Sequence, residues 1–168
     1  MPDAIKVIAL YHNDVVSSLI LYFSNVSPSF NVRFLGYSPT EVSDELKAHL
    51  DETDRRSALA LLISLEAAFR VDYERRCQQR MKDDLSRAFR RISKSRKRNV
   101  RLDEDIFESW VRNVDGSAPL IGALRSAFRF RHWLAHGSYW EPKLGRKYDF
   151  PYVYDLADNV LKTLSFLS

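Results

Sequence analysis

Three residues in one short stretch have the types and spacing for phosphoryl chemistry. Arg131, His132 and His136 stand in the run 128–140, beside Phe128, Phe130, Trp133, Tyr139 and Trp140. An arginine offers a planar fork of N–H donors that fits a phosphate. A histidine exchanges a proton near neutral pH. Cleaving a phosphodiester calls for both: charge stabilisation in the transition state, and proton transfer at the oxygens that attack and leave. A carboxylate is the third candidate. Glu66 lies among Leu62, Leu65, Phe69 and Tyr73, close to an apolar helix face, where an ionised group needs a partner. Arg70, four residues on, is one partner in reach. Arg131 or a motif histidine, met across a helical bundle, is the other.

Each of these residues also has a structural reading. Arg131 can be a surface cation, and His136 can interact with the last carbonyls of a helix that ends at Gly137. His132 is read first as a hydrogen-bonding residue that fixes the local geometry, and second as a proton carrier. Residues five apart on a helix point about 140° apart. Arg131 and His136 therefore converge only if the helix end unwinds or a second chain contributes.

The elements that position them read as helices. Residues 4–26 keep a helical apolar period, with a strand over 5–10 as the alternative. Ser27-Pro28-Ser29 stops the element, and residues 30–37 read as a loop or a short extended piece. Ser38-Pro39-Thr40-Glu41 is a capping box with proline at the first helical position, which predicts a short helix over 39–50. Asp51 or Thr53 then caps a longer helix. Its apolar stripe runs through Ala58, Leu62, Leu65, Phe69, Tyr73, Cys77, Met81, Leu85 and Phe89, with Arg75, Arg76, Arg80, Arg87, Arg90 and Arg91 largely off it. Residues 93–99 read as a basic loop. A compact helix follows from Asp103, then one that carries the motif, capped by Asp115 or Ser117, and a last one through Val153, Leu156, Val160 and Leu164. No hairpin signal interrupts the pattern, so the fold class is all-α.

Composition sets the bounds. The 168 residues are 45% apolar, enough for a single domain with a core. Net charge is +4, unevenly spread: residues 74–101 hold twelve Lys and Arg against three acids, a local +9 that leaves −5 elsewhere. Such a patch is an electrostatic footprint for a polyanion. Arg96, Lys97, Arg98 and Arg101 are its densest part and the candidate phosphate contacts, with a solvated loop as the alternative. Cys77 is the one cysteine, which excludes an internal disulfide and a cysteine zinc cluster, fits a reducing cytosol, and sits on the apolar stripe as a core residue. His12 and His49 have no recognisable partners. No carboxylate cluster is visible for a metal, and no cofactor is expected. The run 5–26 is interrupted by Lys6, His12, Asn13, Asp14, Ser17 and Ser18, too broken to span a membrane, and the N-terminus does not read as a signal peptide.

Arg131-His132-x3-His136, on a late helix of an all-helical chain, resembles the Arg-polar-x3-His signature of HEPN domains. Many of these are metal-independent ribonucleases in toxins, phage-defence systems and RNA-guided nucleases. The motif spans six residues, and the helical layout extends the likeness over most of the chain. The resemblance implies a HEPN-like antiparallel bundle of about five to six helices with one long central helix, a single domain over 1–168. It implies that Arg131, His136 and His132 are catalytic and that Glu66 supports them. One motif per chain is a proton carrier short, so it also implies a homodimer in which two motifs share a cleft. The expected activity is endonucleolytic cleavage of single-stranded RNA by its own 2′-hydroxyl, in the cytoplasm, with an antitoxin as a candidate partner. Some of these toxins carry a tyrosine two residues after the histidine, and in one family the antitoxin modifies it. Tyr139 stands three after, so that property is not carried over. Tyr139 and Trp140 are read as base-stacking candidates or as core aromatics. The rival reading is a non-catalytic helical module that binds RNA or a protein and keeps the motif for packing. Cleavage of DNA would need a metal or another nucleophile, because DNA lacks the 2′-hydroxyl.

Overall fold

A computed structural model describes residues 2–135 and 147–167, with backbone alone for Pro2, Leu134 and Ala135. Among the described residues there are seven α-helical segments and no strand: α1 (Pro2–Tyr22), α2 (Phe30–Arg33), α3 (Pro39–Gln78), α4 (Asp84–Arg96), α5 (Glu108–Asn113), α6 (Ala118–Ala135) and α7 (Phe150–Thr163). A π-helical turn, Leu102–Phe107, leads into α5. Two of the seven, α2 and α5, are short, which accounts for the excess over the five or six expected.

The first element is a helix and not a strand over 5–10, and it ends at Tyr22, with turns over 23–26 where the helical period was read to continue. Ile5, His12 and Phe23 are buried, with Ile8 and Ala9 packed partly against the core, and these spacings are helical. Its outer side carries Val7, Leu10, Tyr11, Ile20 and Leu21, each at least half exposed. Among the described residues, α1 is the one helix long and apolar enough to cross a membrane by length and composition, at a mean hydropathy of 1.3 over Asp3–Tyr22. The polar interruptions seen in the sequence therefore do not disqualify it on those grounds.

α3 is the axis of the bundle. Ser38 and Glu41 form the expected capping box, with Ser38 N–H donating to Glu41 Oε2 at 2.7 Å. The expected break near residue 51 does not occur, and α3 runs 40 residues without interruption. Asp51 and Thr53 are helix-interior residues: Thr53 Oγ1 donates to the His49 carbonyl at 2.9 Å. The break falls later, at residues 79–83. Arg80 adopts a positive φ of 52°, and Asp83 caps α4 by accepting the Ser86 N–H at 2.9 Å. α4 then extends to Arg96, through part of the segment read as a loop.

α1, α4, α6 and α7 and the π turn all pack on α3. Pairings give the directions. Tyr73 meets Phe89, and Arg70 meets Val100, so α4 runs antiparallel to α3. α1 does the same, as His12–Ser57 with Phe23–His49 show, and α6 meets α3 at Glu66–Arg131. α7 runs with α3, from the Phe150–Asp54 contact to that of Phe166 with Phe69. Leu61, Leu62, Leu65, Phe69, Phe107, Trp110, Ile121, Leu124, Val153 and Val160 fill the centre. Each such apolar side chain contributes about 1.5–3 kcal/mol by leaving water.

One arginine expected off the apolar stripe is buried instead. Arg76 donates from Nε to both oxygens of Asp72, at 3.0 and 2.8 Å, and from Nη2 to the Ser165 carbonyl at 2.6 Å. Asp72 is fully buried and also accepts the Leu167 N–H at 2.8 Å. Burial pushes the Asp72 carboxyl up, while the Leu167 amide and the Arg76 guanidinium pull it back. The pair fastens the segment after α7 onto α3.

A second polar contact closes α1 onto its neighbours. The His12 ring stacks on Phe150 at 3.8 Å, and Nδ1 lies 3.1 Å from Ser57 Oγ. Burial lowers the His12 pKa below its ordinary 6.5, against an opposing pull from Asp54. The unfolded chain therefore binds the proton more readily, and stability rises with pH across this titration. The contribution is complete above about pH 6.5 and is lost as pH falls from there through the lower folded value. Urea midpoints should thus fall between pH 7.5 and 5.5, and His12→Asn should flatten that difference. An equal pH slope in the variant would remove His12 as its source.

Candidate functional site

Glu66 is the centre of the site. It projects from the middle of α3 and bridges two arginines, one oxygen to each. Arg70 Nε lies 2.9 Å from Oε1, and Arg131 Nη1 lies 2.8 Å from Oε2. The two partners weighed for Glu66 from sequence are thus engaged together: the neighbour at i+4, and the arginine across the bundle. The carboxylate is 19% exposed and the Arg131 side chain 35%. Phe128, one turn earlier on α6, lies under the guanidinium, with Cζ 5.7 Å from the ring centroid.

The geometry leaves Arg131 held and still useful. A guanidinium has five N–H donors, and this pairing engages the Nη1 end, so other donors can meet a phosphate oxygen. Glu66 carries one negative charge between two positive ones, so the cluster is net cationic. Arg70 also donates to the Val100 carbonyl at 3.4 Å, which fastens the loop after α4 beside it. His132 follows Arg131 on α6 and is exposed. His136, Tyr139 and Trp140 lie outside the described residues.

The four expected phosphate contacts do not stand alike. Arg96 Nε lies 3.4 Å from Asp105 Oδ1, and the Arg101 guanidinium 3.2 Å from Glu104 Oε1. Asp105 is buried and also accepts the Arg101 backbone N–H at 2.8 Å. Arg96 and Arg101 therefore help hold the π turn. Lys97, at a φ of 53°, and Arg98 are exposed, with no described carboxylate in ion-pair range of either. The sequence showed the cluster of charges. It did not show the acids of 103–105 folding back on two of them.

One constellation was not foreseen. His12, Ser57 and Asp54 have the residue types of a nucleophile relay. Ser57 and His12 are 6% and 7% exposed, and His12 Nε2 is 3.7 Å from Asp54 Oδ1, beyond a hydrogen bond. No reacting group reaches a serine buried there, and Asp54 is also occupied by the Phe150 N–H at 3.3 Å. The set is a fastening between α1, α3 and α7. Its signal was the position of His12 on the inner face of α1.

Cys77 is half-buried, and burial pushes its thiol up, which suits packing and not attack. Among the described residues, no three His, Cys, Asp or Glu side chains group so as to hold a metal ion. Comparison with protein-family models, with curated proteins and with solved structures finds no match to this chain.

Proposed function

We propose that this chain is a HEPN-type, metal-independent endoribonuclease acting on single-stranded RNA. The observation that carries the reading is the Glu66–Arg131 ion pair. It ties a phosphate-type arginine, near the end of α6, to the middle of the longest helix, and a second cation stands beside it. A catalytic arginine needs such a support, because stabilising a transition state depends on donors fixed before the charge develops.

In the proposed reaction the 2′-oxygen of the substrate attacks the adjacent phosphorus, and the bond from phosphorus to the 5′-oxygen breaks. The 2′-hydroxyl proton goes to one histidine, and another histidine protonates the departing 5′-oxygen. Arg131 bears the charge that builds on the phosphoryl oxygens. His136 is the main proton carrier, with His132 orienting or sharing that work. Glu66 is a positioning residue for Arg131. Two copies of the chain would supply the two proton carriers, and a toxin or defence role with an antitoxin partner follows from the resemblance. The products carry a 2′,3′-cyclic phosphate and a 5′-hydroxyl.

A second reading has its own support. Arg131 is already bonded to Glu66 and rests on Phe128, which is what a packing residue between α6 and α3 would do. On that reading the chain is a non-catalytic module for RNA or a partner protein. Incubating the purified protein with end-labelled single-stranded RNA in excess EDTA decides between them. Cleavage with cyclic-phosphate ends, absent in His136→Ala, is the expected result. A folded wild-type protein that leaves a broad set of RNAs intact would transfer the assignment to the binding module.

A further inference from the structure

The outer face of α4 carries an unusual arrangement of charge. Arg87, Arg91 and Lys94 stand at i, i+4 and i+7, with Arg90 alongside, while Leu85, Ser86 and Phe89 face the core. Arg87, Arg90, Arg91 and Lys94, with Asp84 at the head, line an open concavity of ≈ 480 Å³. Several exposed cations on the other helices pair with an acid three or four residues away, Arg55 and Arg56 with Glu52, Arg112 with Glu108 and Lys162 with Asp158, while Lys6, Lys47 and Arg129 stand singly and not in a row. On α4, Arg87 has Asp84. No described carboxylate lies in ion-pair range of Arg91 or Lys94, nor of Lys97 and Arg98 in the turn beyond. The pairs 87/91, 90/94, 87/90 and 91/94 are instead like charges at helical-neighbour spacing, each destabilising the helix by about 0.2–0.5 kcal/mol. A merely solvated face has no need of that arrangement.

The direction of α4 adds the second point. It begins beside Arg76, through Asp83, passes Tyr73 at Phe89, and its following loop reaches Arg70 at Val100. Arg70 shares Glu66 with Arg131. The basic face therefore leads from the far end of α3 toward the cationic cluster at its middle. We propose that Arg87, Arg90, Arg91, Lys94, Lys97 and Arg98 form a track for the phosphate backbone of single-stranded RNA that delivers the strand to the Glu66–Arg131 site. The choice of RNA as the ligand rests on the ribonuclease reading. A membrane-surface helix would present apolar side chains beside its cations. Here the apolar side of α4 is spent on the core, and arginines, which fork onto phosphate, supply most of the charge.

The test is fluorescence anisotropy of a labelled single-stranded RNA between 50 and 200 mM KCl. It uses EDTA and the His136→Ala background so that the RNA stays intact. Each lost phosphate contact flattens the slope of log K against log salt by about 0.7 for a single strand. The triple variant Arg87→Gln/Arg91→Gln/Lys94→Gln should therefore flatten it by about 2 and bind about tenfold or more weakly at 50 mM. A control triple that removes the same charge elsewhere, Arg55→Gln/Arg56→Gln/Arg112→Gln, should leave the slope alone. Equal losses in both triples, or none in either, would overturn the track. So would binding confined to anionic phosphatidylserine vesicles. Loss of slope in the α4 variant from a protein that never cleaves RNA would uphold the track and defeat the ribonuclease reading. Cleavage with an unchanged slope would do the reverse.

Discussion

Asp72→Ala will lower the free energy of unfolding by about 3–5 kcal/mol, the usual consequence of removing one partner from a buried ion pair. Arg76 is 6% exposed, and its Nε donates to no group but Asp72 among the described residues. The alanine variant leaves that guanidinium in the interior beside Trp110, with the partly exposed Asp83 carboxylate, 3.3 Å from Nη1, as its remaining counter-charge. It also strips the acceptor from the Leu167 N–H. For a chain of this size the melting temperature should fall by roughly 6–20 °C. The double variant Asp72→Leu/Arg76→Met removes both charges and should recover most of the loss, because an apolar pair of similar volume carries no desolvation term. Chemical denaturation of the three proteins measures it. A loss under about 1 kcal/mol in Asp72→Ala would mean that Arg76 turns out to solvent, and that Phe166 and the Arg75 bond to the Leu167 carbonyl suffice to hold the segment after α7.

The second large effect concerns rate. Arg131→Ala should lower kcat/KM for RNA cleavage by about 10²–10³-fold, the range for losing one preorganised charge donor. Its stability should change by no more than about 1 kcal/mol, since Arg131 is partly exposed and Glu66 keeps Arg70. Arg131→Lys should recover little, because an ammonium cannot bond Glu66 and a phosphate with one planar fork. Glu66→Gln keeps a hydrogen-bond acceptor and loses the charge, so it should fall between wild type and Arg131→Ala in kcat, with KM less affected. A fully active Arg131→Ala protein would place the residue in the packing between α6 and α3 and support the binding-module reading.

How far the sequence was legible follows from a few residues. The capping box at Ser38 and Glu41 was readable because a cap is local chemistry, complete within four residues. The continuity of α3 was not. Asp51 and Thr53 are cap-type residues, but with no glycine or proline between 39 and 78 nothing forces a stop, and a polar side chain inside a helix can satisfy itself on the preceding turn. The true break was hidden for the opposite reason. Residues 79–82 hold neither glycine nor proline, and the four-residue steps Cys77, Met81, Leu85 and Phe89 carried the apolar stripe across it. Met81, 36% exposed, is the member that does not belong. The partnership of Glu66 with Arg131 was nameable as an option because a half-buried carboxylate needs a cation. Choosing among cations took the packing of α6 on α3. The burial of Arg76 had no comparable signal, since its compensation comes from Asp72 at i−4, which any exposed helix pair would show, and from a carbonyl at residue 165.

Phe150, the ring that covers His12, bonds through its amide to a carboxylate 96 residues earlier in the chain. Synthesis at about 5–20 residues per second separates the two by roughly 5–20 seconds. In the later part of that interval, once α3 is complete at Gln78, the hairpin of α1 and α3 stands without α7. The outer side of α1 and the side that α7 will cover are both bare. This protein is therefore born with a waiting period, in which a holding chaperone that grips apolar helices has its opportunity and neighbouring nascent chains have theirs.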